Sequence, residues 1–264
     1  PPLYDVYISG SDQLWNPEQP FPIEPYFLTF VQNSNAKKIS YASSIGISSL
    51  EPLQVRDFTR WLSSYDAVSV REPEAARILQ PHLKQKIEIV ADPTFLLDVN
   101  EWNLLAHDYS EKGYILCFML AFQPVLLTEA LRVSNDLGKK LIVIGQRGIP
   151  KNKRYTLIDD AGPREFLGLI KCADCVFTDS FHGTVFSILL GVKNFFSYVA
   201  IGNRRVSRLE TLLSPLGHLD RIIRNDDFSK VYGLLKEGVD IEKQNSIVRM
   251  ASESSRDFLN NSVL

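Results

Sequence analysis

Residues 175–191 read Cys175-Val-Phe-Thr-Asp-Ser-Phe-His-Gly-Thr-Val-Phe-Ser-Ile-Leu-Leu-Gly191. An apolar strand runs into a short polar turn, Thr178-Asp179-Ser180-Phe181-His182-Gly183, and then into a helix. The turn therefore sits at the carboxyl end of a strand and the amino end of a helix. In an open α/β sheet ligands bind at such a point, because backbone N–H groups and the helix dipole face an anion there. A histidine, an aspartate and two hydroxyl residues crowd into this one turn, and His182 is its first candidate for chemistry.

The same alternation extends in both directions. Apolar runs predict strands over 4–9, 38–42, 67–70, 87–91, 114–119, 140–144, 175–178 and 194–198. Helical spacing predicts helices over 53–63, 72–80, 125–137, 163–171, 183–190 and 204–213, with a mostly helical tail over 229–259. Short strands alternating with amphipathic helices imply an α/β fold of parallel, doubly wound sheets. The pattern pauses over 94–112, so two Rossmann-like units are expected, residues 1–105 and residues 106–264 with the tail. A cleft between them is the expected place for a small-molecule site. Because the chain opens directly in a strand, the first unit is expected to be N-terminally shortened.

At 264 residues, 45% hydrophobic and 23% charged, the chain can bury a full core and is not a disordered polymer. Its net charge of −2, from 29 basic and 31 acidic residues, argues against bulk nucleic-acid binding, which favours a strongly basic face. Three cysteines do not make a disulfide framework, and a reducing cytoplasm is the simpler setting. Cys172-Ala-Asp-Cys175 has redox-motif spacing but lies where a helix enters a strand, so buried structural thiols are expected. No apolar run reaches the length of a membrane span. The zinc-peptidase, P-loop and serine-hydrolase signatures are all missing from the sequence.

The motifs Gly10-Ser-Asp-Gln-Leu-Trp-Asn16, Tyr41-Ala-Ser-Ser-Ile-Gly46, Ser69-Val-Arg-Glu72 and Ala91-Asp-Pro-Thr-Phe-Leu-Leu97 occur in the first half. Gly162-Pro-Arg-Glu-Phe-Leu167, Thr178-Asp-Ser-Phe-His-Gly183 and Arg208-Leu-Glu-Thr-Leu-Leu213 follow in the second. In this order and spacing the chain resembles the polysaccharide pyruvyl transferase family. The resemblance implies two Rossmann-like units in a GT-B-like arrangement. It implies phosphoenolpyruvate as donor and a sugar of a cell-surface polysaccharide, free or lipid-linked, as acceptor. The product would be a pyruvate ketal on two sugar hydroxyls, with phosphate released and no metal or cofactor required.

That chemistry needs the donor anion held and a proton delivered. Histidine suits the proton work because its ordinary pKa, about 6.5, lies near operating pH. His182 is either the proton donor, to the donor carbon or its leaving phosphate oxygen, or part of a simple capping turn; the resemblance favours the former. Asp179 and Ser180 are each candidates for the N-cap the helix requires, or for acceptor and donor contacts respectively. Ser180 stands where some family members carry an arginine, so either another cation supplies that charge or the donor site has changed. Thr184 is read either as an anion contact or as a solvent-facing helix residue.

Arg71, at the end of a strand, is the candidate clamp for the donor anion, with a salt bridge to Glu72 or Glu74 as the alternative. Arg204 and Arg205, with Arg208, open a helix where cations oppose the dipole, which a bound donor anion would explain. Asp12 and Gln13 would bond acceptor hydroxyls or form a local Asx turn. Trp15 and Trp102 would stack on a sugar or fill the core. The basic residues Lys139, Lys140, Arg147, Lys151, Lys153 and Arg154 read as a solvated edge, or as attraction to the inner face of an anionic membrane carrying a lipid-linked glycan. His82, His107 and His218 are expected to be structural. Two other functions fit the same architecture: a nucleotide-sugar glycosyltransferase and a catalytically silent glycan-binding protein.

Overall fold

The computed structural model describes residues 4–32, 35–145, 148–202 and 206–264. Among them ten strands form two sheets in which all pairings are parallel. The chain divides into two compact units, Pro1–Leu96 with Arg249–Leu264, and Leu97–Val248.

The first sheet contains β1 (Val6–Gly10), β2 (Lys37–Ser43), β3 (Ala67–Val70) and β4 (Ile87–Ile89), in chain order across the sheet. Helices α1 (Pro52–Leu62) and α2 (Pro73–Leu79) connect β2 to β3 and β3 to β4. Both begin on proline, whose missing N–H costs nothing at the first helical position. Their inner faces cover a core of Phe58, Leu62, Val68, Val70 and Leu79, joined by Trp15 and Phe27. Trp15 is fully buried and stacks on Phe27 at 4.7 Å, so it is a core residue and not a sugar platform. Full burial of side chains this size contributes roughly 1.5–3 kcal/mol each.

The second sheet contains β5 (Tyr114–Met119), β6 (Leu141–Gly145), β7 (Thr156–Ile158), β8 (Ala173–Thr178), β9 (Asn194–Val199) and β10 (Ile222–Arg224), in the order β10-β9-β8-β5-β6-β7. Its helices are α3 (Val99–Leu105), α4 (Pro124–Asp136), α5 (Pro163–Lys171), α6 (Phe181–Leu189), α7 (Val206–Leu213) and α8 (Val231–Glu237). The central strands are apolar at nearly every position because both faces of a parallel sheet are covered. The order reverses between β5 and β8, which leave the centre of the sheet in opposite directions. Such a reversal opens a crevice outside the carboxyl ends of the two strands. Pairing of Phe118 with Thr178 brings the ends of β5 and β8 side by side.

The division falls earlier than the residue 105 expected, and the end of the tail leaves the second unit for the first. Two packing facts account for this. The segment 97–112 holds α3, capped by Asp98 and Glu101, and the Ala106-His107 stretch after it donates the His107 N–H to the Arg164 carbonyl of the second unit. The last helix, α9 (Ile241–Val263), brings Phe258 and Leu259 against Tyr41, Ala42 and Val90 of the first sheet. Ser255 accepts the Ala91 N–H there at 2.9 Å.

Candidate active site

The β8–α6 turn is built from its own hydroxyls. Thr178 Oγ1 accepts the Ser180 N–H at 3.0 Å, and Ser180 Oγ accepts the Gly183 N–H at 3.2 Å. Ser180 is therefore the N-cap of α6, and a cap of this kind contributes about 1 kcal/mol. Thr184 Oγ1 donates to the Ser180 carbonyl at 3.2 Å and lies 2.7 Å from Ser197 Oγ. Both hydroxyls read as donor contacts in the sequence are thus engaged within the turn, and Thr184 is fully buried instead of facing solvent. Gly183 allows the helix its close seat. A Cβ there would lie 2.4 Å from Thr178 Oγ1 and 3.0 Å from Phe118 Cδ1.

This packing sets His182 at the head of α6, partly buried, beside the reversal of strand order. Its ring meets Phe181 edge-on at 5.4 Å, and the Arg208 guanidinium lies 5.5 Å over the Phe181 ring. Arg208, on α7, thus brings a cation to this turn. Arg204 and Arg205 lie outside the described residues. The Asp179 Oδ1 accepts the Leu120 N–H of its own unit at 2.7 Å. Burial pushes its pKa up, against the lowering effect of hydrogen bonds from Leu120, Ala121 and Gln123.

The carboxyl edge of the first sheet has a different composition. Arg71, directly after β3, is buried, and each of its nitrogens has a carboxylate. Nε donates to Glu72 Oε1 at 3.0 Å, Nη1 to Asp92 Oδ2 at 2.7 Å and Nη2 to Asp12 Oδ1 at 3.4 Å. Burial alone would lower the Arg71 pKa, but the Glu72 and Asp92 carboxylates outweigh it and raise it. Ser44 adds a bond to Glu72 at 2.8 Å, and Thr94 to Asp92 at 2.8 Å. Three carboxylates surround the Arg71 guanidinium. Arg71, the expected donor clamp, is thus held by carboxylates of its own chain. The alternative bridge to Glu72 is present, whereas Glu74 pairs with Arg77.

Asp12 sits at the rim of this cluster with its side chain 59% exposed. Its backbone, at φ 57° and ψ −169°, is in a region that only glycine adopts readily. Gln13 is buried, accepts the Asn16 side-chain amide at 3.3 Å and packs under Gly46. A Cβ on Gly46, whose φ is +72°, would lie 2.7 Å from Gln13 Cδ. Gln13 therefore faces inward.

Elsewhere, Cys117, Cys172 and Cys175 are buried free thiols, and burial pushes the Cys117 and Cys175 pKa values up. Trp102 packs edge-on against Phe186 at 4.9 Å. Lys139 pairs with Asp174 and Lys140 with Glu111, and Arg147 lies outside the described residues. A cavity of about 450 Å³ opens at the amino end of the second sheet, away from His182, among Lys139, Lys171, Lys193 and Lys236. Those lysines stand near the carboxyl ends of helices, where cations offset the negative end of the dipole. No helix among the described residues is long and apolar enough to cross a membrane.

Sequence reasoning passed over Thr178, Gly183 and Ser197 as parts of the turn's scaffold. Glycine in the first turn of a helix that follows a strand was the available signal, since it marks close helix–strand packing.

The fold is shared with solved UDP-sugar epimerases and a glycotransferase. The UDP-GlcNAc 2-epimerase of Methanocaldococcus jannaschii aligns over 94% of this chain and 77% of its own, with TM-score 0.54 and 14% identity. A putative UDP-N-acetylglucosamine 2-epimerase of Listeria monocytogenes aligns over 97% and 73%, with TM-score 0.59 and 12% identity. The glycotransferase of kitacinnamycin aligns over 98% and 74%, with TM-score 0.54 and 12% identity. At these identities the likeness is one of fold, a GT-B-like pair of Rossmann-like units. No curated protein matches the chain. The family model of polysaccharide pyruvyl transferases matches residues 3–198, which include both carboxyl edges and the His182 turn, and the chain belongs to that family.

Proposed function

We propose that the protein transfers the pyruvyl group of phosphoenolpyruvate to a sugar of a cell-surface polysaccharide or its lipid-linked precursor. One sugar hydroxyl oxygen bonds to C2 of the donor while C3 takes a proton and becomes a methyl group. A second hydroxyl oxygen then displaces phosphate from C2, closing the ketal. Of the two hydroxyl protons released, one balances the methyl group and the other leaves with phosphate. Family membership together with His182 at the head of α6 carries this reading.

His182 is the group we assign to proton delivery, either to C3 or to the leaving phosphate oxygen, since imidazole exchanges protons near neutral pH. Arg208 takes the anion-holding role first read for Arg71, because its guanidinium stands over Phe181, next to His182. The amino end of α6 adds the positive end of its dipole. Asp12, with its exposed carboxylate, is assigned to acceptor hydroxyls. A cytoplasmic enzyme working near the inner face of the membrane suits a lipid-linked acceptor.

The test is release of inorganic phosphate from phosphoenolpyruvate by the full chain with candidate glycan acceptors. Acceptor-dependent release supports the reading. Sugar transfer from a sugar nucleotide without any phosphate release would favour the glycosyltransferase alternative. Glycan binding with neither activity would favour a binding protein.

A further inference from the structure

Leu120-Ala121-Phe122-Gln123, between β5 and α4, is the first strand-to-helix loop of the second unit. In doubly wound sheets the backbone N–H groups of that loop, usually made accessible by glycines, take a pyrophosphate. Here the loop has no glycine, and its first amide has a partner from within the chain: the Leu120 N–H donates to Asp179 Oδ1 at 2.7 Å. Asp179 leaves the end of β8, so its side chain crosses the reversal of strand order to reach the end of β5. A phosphate oxygen would need the positions its oxygens fill, and would face a carboxyl group where it needs N–H donors.

We propose that Asp179 is a specificity-determining residue, an in-built carboxyl group that occupies the Leu120 amide of the β5–α4 loop and excludes a nucleotide diphosphate. This rests on the phosphoenolpyruvate reading, because a donor with one phosphate can use the amino end of α6 alone. A sugar nucleotide needs its diphosphate seated on the loop as well. Filling the donors that a competitor requires is a familiar way to reject it.

The experiment measures binding of inorganic pyrophosphate and of UDP to the full chain by titration calorimetry, for the wild type, Asp179→Asn and Asp179→Ala. Asp179→Ala frees the Leu120 amide and is expected to bind pyrophosphate at least about tenfold more tightly than the wild type. Asp179→Asn keeps one oxygen for the Leu120 N–H and should gain less. Folded variants with no gain in affinity overturn the proposal, as does a wild type that binds UDP as tightly as the variants. Should both variants unfold, hydrogen exchange at the Leu120 amide of the wild type decides: slow exchange supports the resident bond and fast exchange overturns it. Phosphate release from phosphoenolpyruvate by the wild type is followed in parallel. Its absence would sink the pyruvyl-transfer reading while the pyrophosphate result still judged Asp179 on its own.

Discussion

At the carboxyl edge of the first sheet the charged side chains are bound to one another. Arg71 spans Asp12, Glu72 and Asp92, and the hydroxyls of Ser44 and Thr94 donate to Glu72 and Asp92. At the carboxyl edge of the second sheet the hydroxyls serve the backbone of the turn, and the titratable His182 stands at the head of a helix. Among the described residues the first sheet runs in chain order, and its polar edge is an ion cluster around buried Arg71. The second reverses between β5 and β8, which is where open α/β sheets place ligands. Similar residue types at similar positions in a strand-turn-helix thus became scaffold in one unit and candidate chemistry in the other.

The most severe way to break this comparison is to remove His182. His182→Ala should lower phosphate release from phosphoenolpyruvate by roughly 10²–10⁴-fold, the usual share of a general acid or base. The melting temperature should stay close to that of the wild type. Activity within a few fold of wild type would remove the second edge from the chemistry.

Arg71→Ala probes the first edge through stability. It leaves Glu72 and Asp92 buried without their cation, a change that costs about 3–5 kcal/mol. Urea denaturation should report that loss in the first unit. An Arg71→Ala variant of full stability that no longer binds phosphoenolpyruvate would instead return Arg71 to the donor-clamp role.

Gly183→Ala sharpens the link between packing and site. The added methyl meets Thr178 Oγ1 and Phe118, both on strands that cannot easily retreat. Overpacking of this kind costs about 1–3 kcal/mol, and the displaced helix should carry His182 with it and lower turnover. Unchanged stability and turnover would show that α6 tolerates a shift.

Ser180→Ala should have the smallest effect, about 1 kcal/mol by thermal denaturation, as the loss of an N-cap. Turnover should fall far less than in His182→Ala. Equal losses would mean that the Ser180 hydroxyl contacts the donor after all.

Much of the fold is legible in the chain because its periodicities are local. The strand 67–70, the strand 114–119 and the helix 163–171 fall where apolar spacing predicts them. What escaped is short. The strands β7 and β10 hold three residues each, too few for a period to emerge. Helix α3 hides in the pause between units, although Asp98 and Glu101 carry a capping-box signature. Of the site, the turn and its histidine were readable, since a polar cluster between an apolar strand and a helix marks the strand's carboxyl end wherever the other strands lie. The partners of Arg71 were only half readable. Glu72 is adjacent, but Asp12 and Asp92 come from opposite directions along the chain and meet Arg71 only in the folded sheet.

The amino-acid sequence by itself determined the parallel α/β class and put His182 at the joint of β8 and α6. Alternating runs of apolar residues and helix-starting signals act over a few residues and need no distant partner. Tertiary structure alone decided that Arg71 is held by carboxylates, that Gln13 and Thr184 face inward, and that Asp179 reaches the amide of Leu120. Charge pairing and hydrogen bonding depend on distances that strand order and register set, and residues far apart in the chain acquire those distances only when the sheets assemble.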